Sequence, residues 1–504
     1  MKLRHLLYGL TVAPAVAGAQ TQRPNIVFIL CDDMGWGDLA CYGQHYISTP
    51  NIDRMASQGM QFMQAYAGSP VSAPSRASLM TGQHTGHCEI RGNKEYWRDA
   101  GTVYYNGNAD YAVVGQHPLD PNHVVIPEIM KQNGYTTAQF GKWAGGYEGS
   151  VSTPDKRGVD EFYGYICQFQ AHAYYPNFLN KFSSRDGDTE VTRDILQQNI
   201  QYNFKTEEYY KRPEYSADII HRKAMDWLDR QDGKQPFYGL FTYTIPHAEL
   251  VQPEDSILLA YKQKFSVDKN YGGEIGSWYH AIGNVHAQFA AMITRLDAYV
   301  GEIMALLERK GLADNTILIF SSDNGPHEEG GADPTFFNRD GVLKGLKRSC
   351  HEGGIRVPFI VRWPGHVPEG VRNEHPIAFY DIMPTFCDII GEENYVAKYR
   401  NPDLGDADYF DGISFLPTLE GRDADQQSHP YLYWEFNETN QIAVRQGNWK
   451  LIVKKGVSEL YDLAADIHED NNLATRYPEK VQELQAIVLQ SHIDNPYFKV
   501  TLPQ

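Results

Sequence analysis

An α/β fold, with a large mixed sheet flanked by helices and a smaller C-terminal α+β subdomain, is predicted by three observations. Apolar runs of strand length alternate with segments of helical period over the first 390 or so residues. Acidic residues stand directly after two of those runs, where open α/β sheets hold their ligands. From about residue 430 the pattern changes to short strands separated by turn residues, then a single helix.

Each element has its own reason. Asn25–Cys31 (NIVFILC) is apolar throughout, as a strand buried on both faces requires. Asp32 and Asp33 follow it. Residues 50–59 read as a helix, with Thr49 at the N-cap and Pro50 at the first position. Residues 72–82 read as a turn entering a helix, 125–132 as a helix and 136–140 as a short strand. A strand over 236–244 leads into Pro246-His247, and 286–310 is a long amphipathic helix. The run 315–321 is a second buried strand, ending at Asp323-Asn324, and 357–362 is another strand. In the tail, 431–435, 442–445, 449–453 and 459–461 are short strands, and 478 to about 492 is a helix. A small antiparallel sheet with one packed helix is expected there.

The chain has 504 residues, 42% hydrophobic and 21% charged, which suits two to three globular domains and excludes wholesale disorder. Residues 1–19 have the charged start, apolar stretch and small-residue end of a signal peptide. The remaining chain divides into a catalytic domain at 20–390, connecting loops at 391–429 and a subdomain at 430–504. With 45 Lys+Arg against 63 Asp+Glu the formal charge is −18, which argues against a nucleic-acid partner. No later apolar run is long enough to span a membrane, so an exported protein without membrane insertion is expected. Six cysteines permit disulfides, and the absence of CxxC argues against a zinc or redox pair.

The segment 72–82 is SAPSRASLMTG. Ser72 lies at a helix N-terminus, where free N–H groups favour an anion, and Arg76 is four residues on, on the same face. An oxygen nucleophile beside a guanidinium suits attack on a sulfate or phosphate ester. Alone, that pattern is common in structural caps. Further segments add to it: PNIVFILCDDMGWGDLACYG (24–43), TPNIDRMASQG (49–59), GKW (141–143), PH (246–247), SSDNGP (321–326), the run from Lys347 to Pro358, AVRQGNWKLI (443–452) and ELYDL (459–463). In that order they resemble the formylglycine-dependent sulfatases of the alkaline phosphatase superfamily, from about residue 24 to 475.

Asp32, Asp33, Asp323 and Asn324 offer only hard oxygen ligands, which favours Ca²⁺ ahead of Mg²⁺. The resemblance also implies calcium, with Ser72 as a further ligand once it is oxidised to formylglycine. It implies charge neutralisation by Arg76, Lys142 and Lys347, and a proton for the leaving oxygen from His247, with Lys347 as helper. Serine rather than cysteine at position 72 resembles the type matured by an oxygen-independent radical enzyme in anaerobic bacteria. That points to the periplasm of an anaerobic Gram-negative organism. One departure stands out: the family commonly has GKWH, whereas this chain has Ala144 there.

Glu95, His172 and Arg348 are the candidates for sugar binding. Tyr104, Tyr105, Tyr174 and Tyr175 could stack on sugar faces, although most of them are expected to be packing residues. The set is similar to that of gut-bacterial sulfatases acting on galactose. It implies exo-removal of 3-O-sulfate from terminal galactose on mucin-type glycans. Removal of 6-O- or 4-O-sulfate from galactose or N-acetylgalactosamine, in mucin or glycosaminoglycan, is the alternative. Two readings of other classes remain: a phosphoesterase using unmodified Ser72, and a non-catalytic binder of sulfated glycan.

Overall fold

Along the strand Asn25–Cys31, alternate side chains enter two different cores. Val27, Ile29 and Cys31 pack with the long helix Val285–Arg309 on one face of the sheet. Ile26, Phe28 and Leu30 pack with the helices Ser72–Thr81, Ile126–Gln132 and Ile382–Ile389 on the other. A strand covered on both faces must be apolar at every position, which is why this run shows no polar alternation. The computed structural model describes residues 23–97, 113–143, 145–198, 211–273, 279–401 and 409–503. The signal-like segment 1–19, Tyr104, Tyr105 and Ala144 lie outside the described residues.

From one edge the large sheet runs Val371–Asn373, Met60–Tyr66, Arg356–Arg362, Thr316–Ser322, Asn25–Cys31, Phe237–Thr242, Thr136–Lys142, Glu161–Tyr165, Phe178–Ser183 and Thr192–Ile195. The strands from Thr316–Ser322 to Glu161–Tyr165 are mutually parallel, and Arg356–Arg362 and Phe178–Ser183 pair antiparallel beside them. The sheet is therefore mixed, with a parallel centre whose carboxyl ends share one edge. No described helix is long and apolar enough to cross a membrane. All six cysteines are unpaired thiols.

A second sheet, Leu432–Phe436, Gln441–Gln446, Trp449–Lys454 and Val457–Asp462, is an antiparallel meander. Leu484 and Val488 of the helix Pro478–Ser491 cover one face. The other face, with Trp434 and Ile452, packs against Tyr66, Val71 and Ile355 of the larger unit. Thr49 precedes its helix as expected, but its hydroxyl makes no cap. It accepts from Ala40 N–H at 3.1 Å and donates to Asp53 at 3.2 Å, fixing the preceding loop instead.

A buried ionic cluster joins the two units. Lys450 Nζ lies 2.8 Å from Glu352 Oε1 and 3.1 Å from Glu469 Oε1, with all three side chains fully buried. Tyr66 O–H donates to Glu352 Oε2 at 2.7 Å, and Glu352 N–H donates to Glu469 Oε2 at 2.7 Å. Burial, with the Glu352 charge adding to it, pushes the Glu469 carboxyl up to about 7 against the pull of Lys450. Lys450→Met should therefore cost about 3–5 kcal/mol, because two buried carboxylates lose their shared cation. The urea-unfolding midpoint measures this, and an unchanged midpoint would show the cluster to be dispensable.

Candidate active site

Strand register builds the centre of the site. Cys31 and Ser322 are partners in adjacent parallel strands, so Asp32-Asp33 and Asp323-Asn324 leave the sheet side by side. Two strands further on in the same parallel group deliver the others: Phe237–Thr242 leads to His247, and Thr136–Lys142 ends on Lys142. Ser72 and Arg76 come from one face of the helix Ser72–Thr81. Lys347 is held by its backbone, whose N–H donates to the Pro326 carbonyl at 2.8 Å. Glycine is required beside it: a Cβ on Gly325 would lie 1.9 Å from the Gly353 carbonyl oxygen.

Ser72 Oγ donates to Asp32 Oδ1 at 3.0 Å and lies 3.4 Å from Asn324 Oδ1. Lys142 Nζ donates to Asp32 Oδ2 at 2.6 Å. Arg76 grips Asp323 Oδ2 through Nε at 2.9 Å and a terminal nitrogen at 2.8 Å. Lys347 Nζ lies 2.8 Å from Asp33 Oδ2, 2.9 Å from His247 Nε2 and 3.1 Å from Glu329 Oε2. The His247 Nδ1–H is held by the Ala248 carbonyl, which leaves the Nε2 lone pair to accept from Lys347. Asp33 adopts a left-handed backbone at φ 62°, a strained conformation that turns its carboxylate toward Lys347.

All four acidic-pair residues are buried, at 0–1% exposure. Burial alone would raise the Asp32 carboxyl, but Lys142, His247 and Arg76 together hold it below the usual range. Burial also opposes ionisation of Asp33, and Lys347 and His247 reverse the balance there. Asp323 differs: burial and the Asp32 charge push it up to about 6 despite Arg76. Burial and then Lys347 lower the His247 pKa, so its ring is neutral near pH 7. Three crowded carboxylates and an amide oxygen form a donor set fit for a hard divalent cation. Among the described residues, two overlapping groups able to hold a metal ion lie here, Asp32-Asp33-His247 and Asp33-His327-Glu329.

A third such group, His84-His87-Asp411, lies apart from these. Gly86 N–H donates to His84 Nδ1 at 3.1 Å. The neutral ring must then carry its proton on Nε2, the nitrogen facing Asp411, and that nitrogen has no lone pair for a metal. This group ties the end of the Ser72 helix to the connecting segment.

Ser72, Lys142, His247, Lys347, Glu95, His172 and Arg348 all line one cavity of about 410 Å³. His172 stacks on His247 with ring centroids 4.5 Å apart, and its Nδ1 is buried without a hydrogen bond. Arg348 is paired with Glu329. Tyr174 and Tyr175 are buried and cannot stack on a sugar. Tyr174 instead donates to the carbonyls of Thr244 (3.0 Å) and His247 (2.9 Å), bracing the histidine loop. Residues that the sequence reasoning missed are Glu329, Asn93, Gln168, Phe169 and Tyr279, also in the cavity wall. For Glu329 a signal existed: an acid in a glycine-rich turn three residues after Pro326. The others sit in unremarkable local sequence.

A profile of the sulfatase family matches residues 24–392. The chain belongs to the sulfatase family. A second profile, for the C-terminal part of N-sulphoglucosamine sulphohydrolase, matches residues 345–494. This sulfatase is 29% identical to an N-acetylgalactosamine-6-O-sulfatase of Bacteroides thetaiotaomicron, over 94% of its own chain and 93% of the relative. It is 30% identical to the N-acetylgalactosamine-6-sulfatase of Sus scrofa, over 88% of its own chain and 74% of the relative. A solved Bacteroides thetaiotaomicron 6S-sulfatase, reported with glycosaminoglycan metabolism, superposes with a TM-score of 0.70 at 27% identity, covering 93% and 99% of the two chains. The enzyme is thus a sulfuric ester hydrolase, and the two relatives cited above are named for a sulfated amino sugar.

The Asp323 carboxyl gives a pH test. A folded-state pKa near 6, above the ordinary 3.8, means that ionisation destabilises the fold at pH 7. Protonation relieves this as pH falls through 6. With a chelator present, the parent should gain stability relative to Asp323→Asn between pH 7 and pH 5, read as the difference in urea midpoints. A constant difference would show that Asp323 carries no such penalty.

Proposed function

We propose that this sulfatase is an exported, exo-acting enzyme that hydrolyses one sulfate ester on a terminal galacto-configured sugar of a mucin-type glycan or glycosaminoglycan. The relatives named for N-acetylgalactosamine-6-sulfate support that sugar class, and they put the 6-O-ester ahead of the 3-O- and 4-O-esters. The observation that carries the reading is the position of Ser72 Oγ, beside Asp32 and Asn324 at a cavity wall shared with Lys142, His247 and Lys347. The cavity volume of about 410 Å³ lies in the range of small-ligand sites and has room for a sugar unit.

In this reading Asp32, Asp33, Asp323 and Asn324 hold Ca²⁺, which supplies positive charge for the transferring sulfuryl group. Formylglycine made from Ser72 by a radical maturase supplies the nucleophilic oxygen and a way to release sulfate that serine lacks. The chain's own side chains do the rest. Lys142 and Lys347 place two ammonium groups where negative charge gathers on the sulfuryl oxygens. Arg76 holds Asp323 in place by two contacts. Lys347 Nζ donates to the His247 Nε2 lone pair, so a proton passed along that bond would make His247 the imidazolium that protonates the leaving sugar oxygen, with Lys347 left neutral.

Three measurements test this. Peptide mass spectrometry across Ser72, on protein from the native host, should show the loss of two hydrogens, and an intact serine there would sink the mechanism. Stability should rise with Ca²⁺ by about 2.7 kcal/mol at a hundredfold excess over Kd, and Asp32→Asn should abolish the rise. His247→Ala should lower kcat on sugar sulfates by about 10²–10⁴-fold. On an aryl sulfate, whose leaving group needs no proton, the loss should be far smaller. Equal losses on both substrates would remove His247 as the proton source.

A further inference from the structure

The cavity is electrostatically two-ended. Lys142 and Lys347 stand beside Ser72 at the reacting end. Glu95 lines the same cavity away from them: neither lysine is among the charges that shift its carboxyl, and among the described residues its carboxylate has no cation and no hydrogen-bond donor. It is fixed from behind, since its short strand Glu95–Trp97 pairs with Val113–Gln116, placing Glu95 opposite Gln116. A second acid approaches from the C-terminal subdomain. Glu438, in the turn between two strands of the second sheet, accepts from Asn93 N–H at 2.6 Å, two residues before Glu95. Arg348 lies 3.9 Å from it but is already paired with Glu329, and Lys347 acts on it from further off.

Gln168 belongs to the same wall. Its Nε2–H donates to Asn93 Oδ1 at 2.9 Å, which leaves its Oε1 buried without a donor. Glu95 and Gln168 thus offer acceptors that still lack donors. A sugar hydroxyl or an amide N–H satisfies them, whereas a sulfate or carboxylate, which only accepts, does not. Glu438 and Cys167 interact with Glu95 electrostatically, and the other titratable groups of the same cavity wall are Lys142, His172, His247, Tyr279, Glu329, Lys347 and Arg348. Burial and the Glu438 charge push the Glu95 carboxyl up to about 7, so it is ionised above that pH.

We infer that Glu95, backed by Glu438, is a specificity-determining residue that admits a sugar with neutral hydroxyl or amide groups opposite the reacting ester and rejects a second sulfate or a uronate there. The inference rests on the carbohydrate-sulfatase reading above. It works by exclusion: an incoming anion meets like charge and unfilled acceptors, while a neutral sugar fills them.

The test uses the mature, aldehyde-bearing enzyme at pH 8.5, where Glu95 is ionised. Two substrates are compared: the monosulfated galactoside that the parent turns over fastest, and the same galactoside with a second sulfate. The parent should show kcat/KM at least about tenfold lower on the disulfate. Glu95→Gln should close most of that gap, mainly through a lower KM for the disulfate, and Glu95→Asp should keep it. A merely structural role would depress both substrates together. If Glu95→Gln does not fold, judged by its thermal melt, Glu438→Gln replaces it and must narrow the same gap. Equal parent turnover of the two substrates, or an unchanged ratio in the variant, overturns the inference and leaves the sulfatase reading standing. A mature parent that cleaves no monosulfated galactoside overturns that reading and the inference with it.

Discussion

Three buried carboxylates at the edge of a parallel sheet set the terms for the rest of this structure. Asp32, Asp33 and Asp323 stand on adjacent strand ends, fully out of water, and like charges so placed destabilise one another. Arg76, Lys142 and Lys347 answer them from three separate segments. Each cation is oriented by a carboxylate, and Lys142 and Lys347 also line the cavity. The charge balance that makes the fold tolerable is thus the arrangement that receives an anionic ester. Asp323, raised to about 6 even with Arg76 attached, is where the balance is incomplete and where a divalent cation would complete it.

The C-terminal subdomain serves the same end. Its inner face packs on the strand and loops that carry Ser72 and Lys347, and Lys450 anchors Glu352 just beyond the Lys347 loop. Its first hairpin turn carries Glu438 to the cavity rim. One contact surface therefore both stabilises the catalytic loops and adds to the sugar-facing wall. That dual use is economical because a short turn between paired strands is rigid at its base and free to vary at its tip.

The clustered residues of the candidate site could be picked out in the sequence because they sit in short, contiguous motifs at strand ends and at one helix start. Asp32-Asp33, Ser72 with Arg76, Asp323-Asn324 and Lys347 needed only local geometry and the family resemblance. The strand Asn25–Cys31 and the helix Val285–Arg309 were legible for the same reason, since their burial writes a clear hydrophobic period. Met60–Tyr66 was not anticipated, because a strand reading MQFMQAY mixes polar and apolar residues without regular alternation. Tyr174 and Tyr175 proved to be packing residues, the reading favoured for most of those tyrosines, although an aromatic that braces a loop from inside looks no different in sequence from one that meets a sugar.

By itself the sequence determined the family, the sheet-and-helix order and which acidic and basic motifs were candidates for the site, because each depends on residues close together in the chain. Tertiary structure alone decided which of those groups meet. Glu329 joins Lys347 and Arg348, His172 stacks on His247, and Glu438 comes to stand beside Glu95 across more than 340 positions of chain. Such encounters follow from strand register and from the docking of one sheet on another, and no local pattern records them.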